Sequence, residues 1–94
     1  MKKTTFALTY TYEGVEDSLP YATTLAVSDD REKIVAYMNK CVEEDCREPI
    51  NEDYEWDTDH NYSVIERNND EVKLKHRAYT DLYASYKIKE VDIL

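Results

Sequence analysis

The stretch EVKLKHRAY, residues 71–79, decides between two folds. Read with a period of two, it turns Val72 and Leu74 to one side and Lys73, Lys75 and Arg77 to the other, as a half-buried strand does. A turn over 68–70 then sets Val64 of the preceding YSVIER opposite Leu74, and Arg67 opposite Glu71. Read with a helical period, the same region is a second helix over about 69–84. Asn68 would begin it, Glu71 would complete the capping box, and Val72, Tyr79, Leu82, Tyr83 and Tyr86 would share a face. We carry the strand forward and keep the helix as the alternative.

The flanks complete the strand reading. YKIKEVDIL, residues 86–94, is a strand with Tyr86 and Ile88 facing in. Val91 and Ile93 are out of phase with them, which points to a bulge near Glu90. At the other end, TTFALTYTY alternates, with Phe6, Leu8, Tyr10 and Tyr12 on one face. YATTLAVS answers with Tyr21, Thr23, Leu25 and Val27. Antiparallel pairing around residues 13–20 sets Tyr12 opposite Tyr21, Leu8 opposite Leu25 and Phe6 opposite Val27. That loop holds the only glycine, Gly14, where a positive φ is sterically free.

SDDREKIVAYMNKCVEE, residues 28–44, is the clearest helix. Ser28 or Asp29 caps it, and Asp29 with Glu32 has capping-box spacing. Ile34, Tyr37, Met38, Cys41 and Val42 recur at three and four residues and make the stripe that lies on the hairpin. Acids at its C-terminus oppose the helix dipole, so it frays after Glu44, and Pro49 stops it. The expected fold class is α+β: an antiparallel sheet of about five strands, in the order β-β-α-β-β-β, with one main helix on one face.

The whole chain, 1–94, reads as a single domain. Apolar residues are 41% of it and nine are tyrosines, too apolar and aromatic for disorder. One glycine and two prolines leave little for a linker. No apolar run approaches the roughly 18 residues of a membrane span. The start, MKKTTFALTYTY, lacks a long apolar run and a small-residue cleavage site, and reads as the first strand rather than a signal peptide. A soluble, cytoplasmic protein is expected.

The formal charge is -9, and its placement matters more than its size. Nine of the 21 acids lie between Glu43 and Asp59: Glu43, Glu44, Asp45, Glu48, Glu52, Asp53, Glu55, Asp57 and Asp59. Only one of the 12 bases, Arg47, lies among them, so the remainder is close to neutral. Residues 45–61 read as an acidic loop, long for so small a domain, with Tyr54 and Trp56 as aromatic anchors. Such a field repels nucleic acid and attracts basic protein surfaces.

The same segment and its surroundings hold the chain's candidate chemical groups. Asp57, Asp59 and Asn61 begin like a calcium loop, but the position that needs glycine is Tyr62 and the one that needs glutamate is Asn68. Cys41, Cys46, His60 and His76 are the entire stock of soft zinc ligands, and the cysteine spacing is wrong for a finger. Cys46 with His60 fails as a nucleophilic dyad, because surrounding carboxylates suppress the thiolate. Lys73, Lys75, Arg77, Lys87 and Lys89 form a basic stripe on the outer sheet face, a possible RNA platform that the nearby acids oppose. Meeting the acidic segment of another copy, the stripe would instead give a homodimer. No metal, no cofactor and no catalytic residue is expected.

KKTTFALTYTY, LAVSDDREKIVAYMNK and the closing YKIKEVDIL together resemble many small uncharacterised proteins of phages and mobile elements, which run hairpin, capped helix, terminal strand. The resemblance implies an accessory protein that binds a host protein; the acidic insert at 43–59 departs from it. The leading expectation is a non-enzymatic acidic interaction module. It would present a nucleic-acid-like surface, made of those nine acids with Tyr54 and Trp56, to a basic site on a host protein such as a defence factor. The rival is a small-molecule-binding or enzymatic domain with a pocket near Tyr10, Tyr12, Tyr21 and Tyr37. The plainest alternative is an acidic loop that only keeps the domain monomeric and soluble.

Overall fold

The computed structural model describes residues 3–14 and 21–93. Residues 15–20 of the expected hairpin loop, and the side chain of Tyr21, lie outside them. The described residues form β1 (Lys3–Glu13), β2 (Tyr21–Ser28), α1 (Arg31–Asp45), β3 (Tyr62–Arg67), β4 (Glu71–His76) and β5 (Tyr83–Ile93). The strands make one sheet in the order β2-β1-β5-β4-β3, antiparallel throughout. Helix α1 covers one face, so the architecture is the α+β arrangement expected.

The deciding stretch is strand β4. Val72, Leu74 and His76 are all fully buried, a strict period of two. The alternative helix over 69–84 does not form. Asn68 Oδ1 accepts the backbone N–H groups of Asp70 and Glu71, each at 2.9 Å, the same bonds a helix cap would make, but here they close the β3–β4 turn and the strand ladders decide the outcome. Neighbours β3 and β5 then satisfy the β4 backbone from both sides. Val64 pairs with Leu74 as expected. Arg67, however, pairs with Val72 and not Glu71, because the register shifts between Val64 and Glu66.

The N-terminal hairpin holds the expected register from Tyr12↔Tyr21 to Thr9↔Thr24 and then shifts. Leu8 faces Ala26, not Leu25, and Phe6 faces Ser28, not Val27. The bulge turns Val27 onto the sheet face that α1 leaves open, where it is 62% exposed. No bulge occurs near Glu90: β1 and β5 pair without interruption from Lys3↔Ile93 to Glu13↔Tyr83. Val91 is simply carried on the open face. Gly14 has no positive φ; among the described residues Asn61 has one, at 69°.

Helix α1 is capped by Asp30, not Ser28 or Asp29. The Asp30 carboxylate accepts the Glu32 N–H at 3.0 Å, while Ser28 Oγ accepts the Asp30 N–H at 3.1 Å. Ile34, Met38 and Val42 are its buried residues, one turn apart; Tyr37 and Cys41 flank the stripe. They close over Leu8, Val72, Leu74, Ala84, Tyr86 and Ile88 from the sheet. Arg31 ties the start of α1 to the β3–β4 turn, at 2.6 Å from both the Asn69 carbonyl and the Asp70 carboxylate. No helix among the described residues is long and apolar enough to cross a membrane.

Candidate functional site: the acidic segment and the tyrosine cleft

The chain leaves α1 at Cys46, whose N–H still bonds the Val42 carbonyl at 2.9 Å. From there to Asn61 it is loop, with a short 3-10 turn at Glu52–Tyr54 capped by the Asn51 side chain. So long a connection is held only if its backbone groups find partners in the body of the protein. They do. His76 Nε2 donates to the Asp57 carbonyl at 2.7 Å. Its Nδ1 accepts from the Ala78 and Tyr79 N–H groups at 3.1 and 3.2 Å, which assigns the neutral tautomer protonated on Nε2.

Asn61 is the second fastening. Its N–H donates to the Arg47 carbonyl, its Nδ2 to the Glu55 carbonyl, and its own carbonyl accepts from Arg77, at 3.0, 2.9 and 2.9 Å. Serving three parts of the chain at once requires the left-handed backbone that asparagine tolerates. The Tyr62 hydroxyl adds a bond to the Thr58 carbonyl at 2.7 Å. Trp56 lies edge-on against Tyr79, with ring centroids 5.0 Å apart.

Of the nine acids, three are engaged by the protein itself. Asp45 accepts the Tyr86 hydroxyl. Asp57 accepts the Asp59 N–H at 2.8 Å and lies 3.3 Å from the His60 ring, contacts that hold its carboxyl below the usual range. Glu48 is 4.0 Å from Arg77 and largely exposed. Glu43, Glu44, Glu52, Asp53, Glu55 and Asp59 are exposed and form no ion pair among the described residues. Tyr54 and Trp56 are each about half exposed, Trp56 with one side spent on Tyr79. Ile50, which charge reasoning passed over, is 90% exposed. It joins Tyr54, Pro49 and His60 around a shallow cleft of about 240 Å³.

A larger cleft, of about 460 Å³, opens between α1, the first hairpin and this segment. Tyr10, Tyr12 and Tyr37 line it where the sequence placed a tyrosine pocket, and Tyr62 and Tyr86 add two further rings. Tyr10 and Tyr86 are in ring contact, with centroids 5.0 Å apart. Glu44, Asp45 and Asp59 complete its wall. The acidic segment and the tyrosine pocket, two rival sites on paper, therefore share a boundary. What hid this was distance along the chain: the sheet brings Tyr86 to Asp45, 41 positions away.

The groups in the cleft are neutral donors and carboxylates. Burial, reinforced by Asp45, pushes the Tyr86 hydroxyl far above its ordinary value; burial, with Tyr10 nearby, does the same for Tyr62. Burial and then Asp45 raise both the Cys41 and Cys46 thiols, so neither is poised as a thiolate. Asn61 spends its side chain on the Glu55 carbonyl, away from the calcium-like role its spacing suggested. Among the described residues no group of three or more His, Cys, Asp or Glu is placed to hold a metal ion.

No family model, curated protein or solved structure matches this chain. On the open sheet face, Lys73 lies 3.4 Å from Glu66 and 3.9 Å from Glu71, so the basic stripe is interleaved with acids.

Asp45 offers a test of the cleft's electrostatics. Burial raises its carboxyl above the ordinary 3.8, outweighing the Tyr86 hydroxyl that pulls it down. A carboxyl raised by folding stabilises the protonated protein: that contribution is complete below 3.8 and is lost as pH rises through the folded value. Asp45→Asn keeps an acceptor for Tyr86 and removes the buried charge, and with it an acid at the negative end of α1. The variant should have a higher urea midpoint than the parent at pH 7, and the gain should vanish below pH 3.8. A gain that is the same at both pH values would show that it does not come from the charge of the Asp45 carboxyl.

Proposed function

We propose that the protein is a non-enzymatic interaction module that uses residues 43–59 to occupy a basic surface on a partner protein, of the kind built to hold nucleic acid. The observation that supports this best is the combination of six unpaired, exposed acids with a backbone pinned to the body by His76, Asn61 and Tyr62. Unpaired charge supplies long-range attraction, and a segment already ordered loses less entropy on docking. Ile50 and Tyr54 supply apolar surface that charge alone lacks. The resemblance to phage and mobile-element proteins suggests a cytoplasmic host protein, such as a defence factor, as the partner.

The test has two steps. Partners captured from a host extract at low salt are purified, and their affinity is then measured against salt. The expected dependence is steep, and changing Glu52, Asp53, Glu55, Asp57 and Asp59 together to amides should weaken binding by about tenfold or more. The amides keep the Asp57 turn acceptor, so a loss reports charge rather than local unfolding. Salt-insensitive binding, or binding untouched by the five amides, would dismiss the reading.

A further inference from the structure

We propose that the tyrosine cleft is a receptor for a single arginine side chain of the partner, with Asp45 as its counter-charge. The inference rests on the partner being a basic protein. Three features carry it. The cleft has the volume of a small-ligand site, about 460 Å³, and its walls are aromatic. Tyrosine faces attract a cation through the negative face of the ring, and a guanidinium, planar and weakly hydrated, stacks on them better than an ammonium does.

The second feature is Asp45 itself. Its Oδ2 accepts the Tyr86 hydroxyl, which orients the carboxylate. Its Oδ1 accepts no bond from the described residues, and no lysine or arginine among them lies within ion-pair distance of it. A half-buried carboxylate without a cation is costly, and an incoming guanidinium would supply the missing partner in the strong charge-assisted geometry. Third, Glu44 and Asp59 stand at the same cleft without ion pairs of their own and add to its negative potential. The cleft thus combines what an arginine needs, and its position beside residues 43–59 places it within the face proposed to meet the basic partner.

The experiment is an amide chemical-shift titration of the intact protein with N-acetyl-arginine methylamide. The corresponding lysine and citrulline amides serve as probes of charge shape and of charge. Saturable shifts are expected at Tyr37, Cys41 and Asp45, with the arginine probe binding about tenfold or more tightly than the neutral citrulline probe. Asp45→Asn, which keeps the Tyr86 bond, and Tyr37→Ala, at a position 45% exposed, should each weaken the arginine probe with the fold intact by circular dichroism. Equal binding of arginine and citrulline, lysine binding tighter than arginine, or shifts confined to Glu52–Tyr54 would overturn the proposal. So would wild-type affinity in both variants. The two readings separate cleanly. A four-amide variant at Glu52, Asp53, Glu55 and Asp57 leaves the cleft acids Glu44, Asp45 and Asp59 unchanged, so it should keep the arginine probe while weakening the partner. A cleft that fails to bind beside a salt-sensitive partner refutes only the receptor, and a cleft that binds beside a salt-insensitive partner refutes only the acidic docking surface.

Discussion

His76→Ala is expected to cost the fold about 3 kcal/mol and to release the acidic segment from the sheet. The imidazole is fully buried and makes three hydrogen bonds, to the Asp57 carbonyl and from the Ala78 and Tyr79 N–H groups. It also packs against the rings of Tyr62 and Tyr79, at centroid distances of 5.0 and 5.1 Å. Alanine leaves a cavity beside three polar groups that lose their partner, and both effects destabilise. Because one of those groups belongs to the segment, the loss is local as well as global. Tyr79, the ring on which Trp56 rests, loses both its N–H acceptor and its ring contact with the imidazole. The checks are a urea unfolding curve, the emission of the single tryptophan, and hydrogen exchange at the Asn61 N–H. A small change in midpoint with unchanged emission and exchange would show that the segment is held by Asn61 and Tyr62 alone.

His76 also shows where sequence reading stops. The period of two that marked Val72 and Leu74 as core extends to position 76, so its burial was legible. Its role was not, because a histidine near an acidic cluster is first counted as metal-ligand stock. Only the fold shows that both ring nitrogens are taken by backbone. Asn61 is similar: asparagine is among the few residues that accept a positive φ, yet nothing in its neighbours says that three chain segments need it there. The other main elements, by contrast, follow from periodicity and capping, which are local; at 71–79 both periods fit, and pairing with β3 and β5 decides for the strand. The errors of register arise where local pattern has no opinion. Alternation turns every aliphatic residue inward, whereas the sheet has an uncovered face that tolerates Val27 and Val91. The cleft was legible in part, since Tyr10 and Tyr12 alternate with each other and Tyr37 lies on the flank of the helix stripe. Its chemistry was not, because Asp45 ends α1 and Tyr86 lies in β5, 41 positions further along the chain.

The hairpin bulge carries the other large effect, as a contrast between two substitutions. Leu8 is fully buried in a central strand, paired with Ala26 on one side and Ile88 on the other. Leu8→Ala removes its side chain from beneath α1, where small Ala26 cannot fill the space, and should cost about 2–5 kcal/mol. Small proteins have total stabilities of about 5–15 kcal/mol, so the loss would be a substantial fraction of the whole. Val27→Ala should cost less than about 0.5 kcal/mol, since the bulge leaves that side chain 62% exposed on the open face. Unbroken alternation makes the opposite statement about Val27: facing Phe6 on the inner side, it would be core, and its truncation would cost upward of about 1 kcal/mol. Urea midpoints at equal slope distinguish the two. Their difference also bears on function. The shift that expels Val27 puts Leu25 at the tyrosine cleft, where it lines the same wall as Tyr12 and Tyr37.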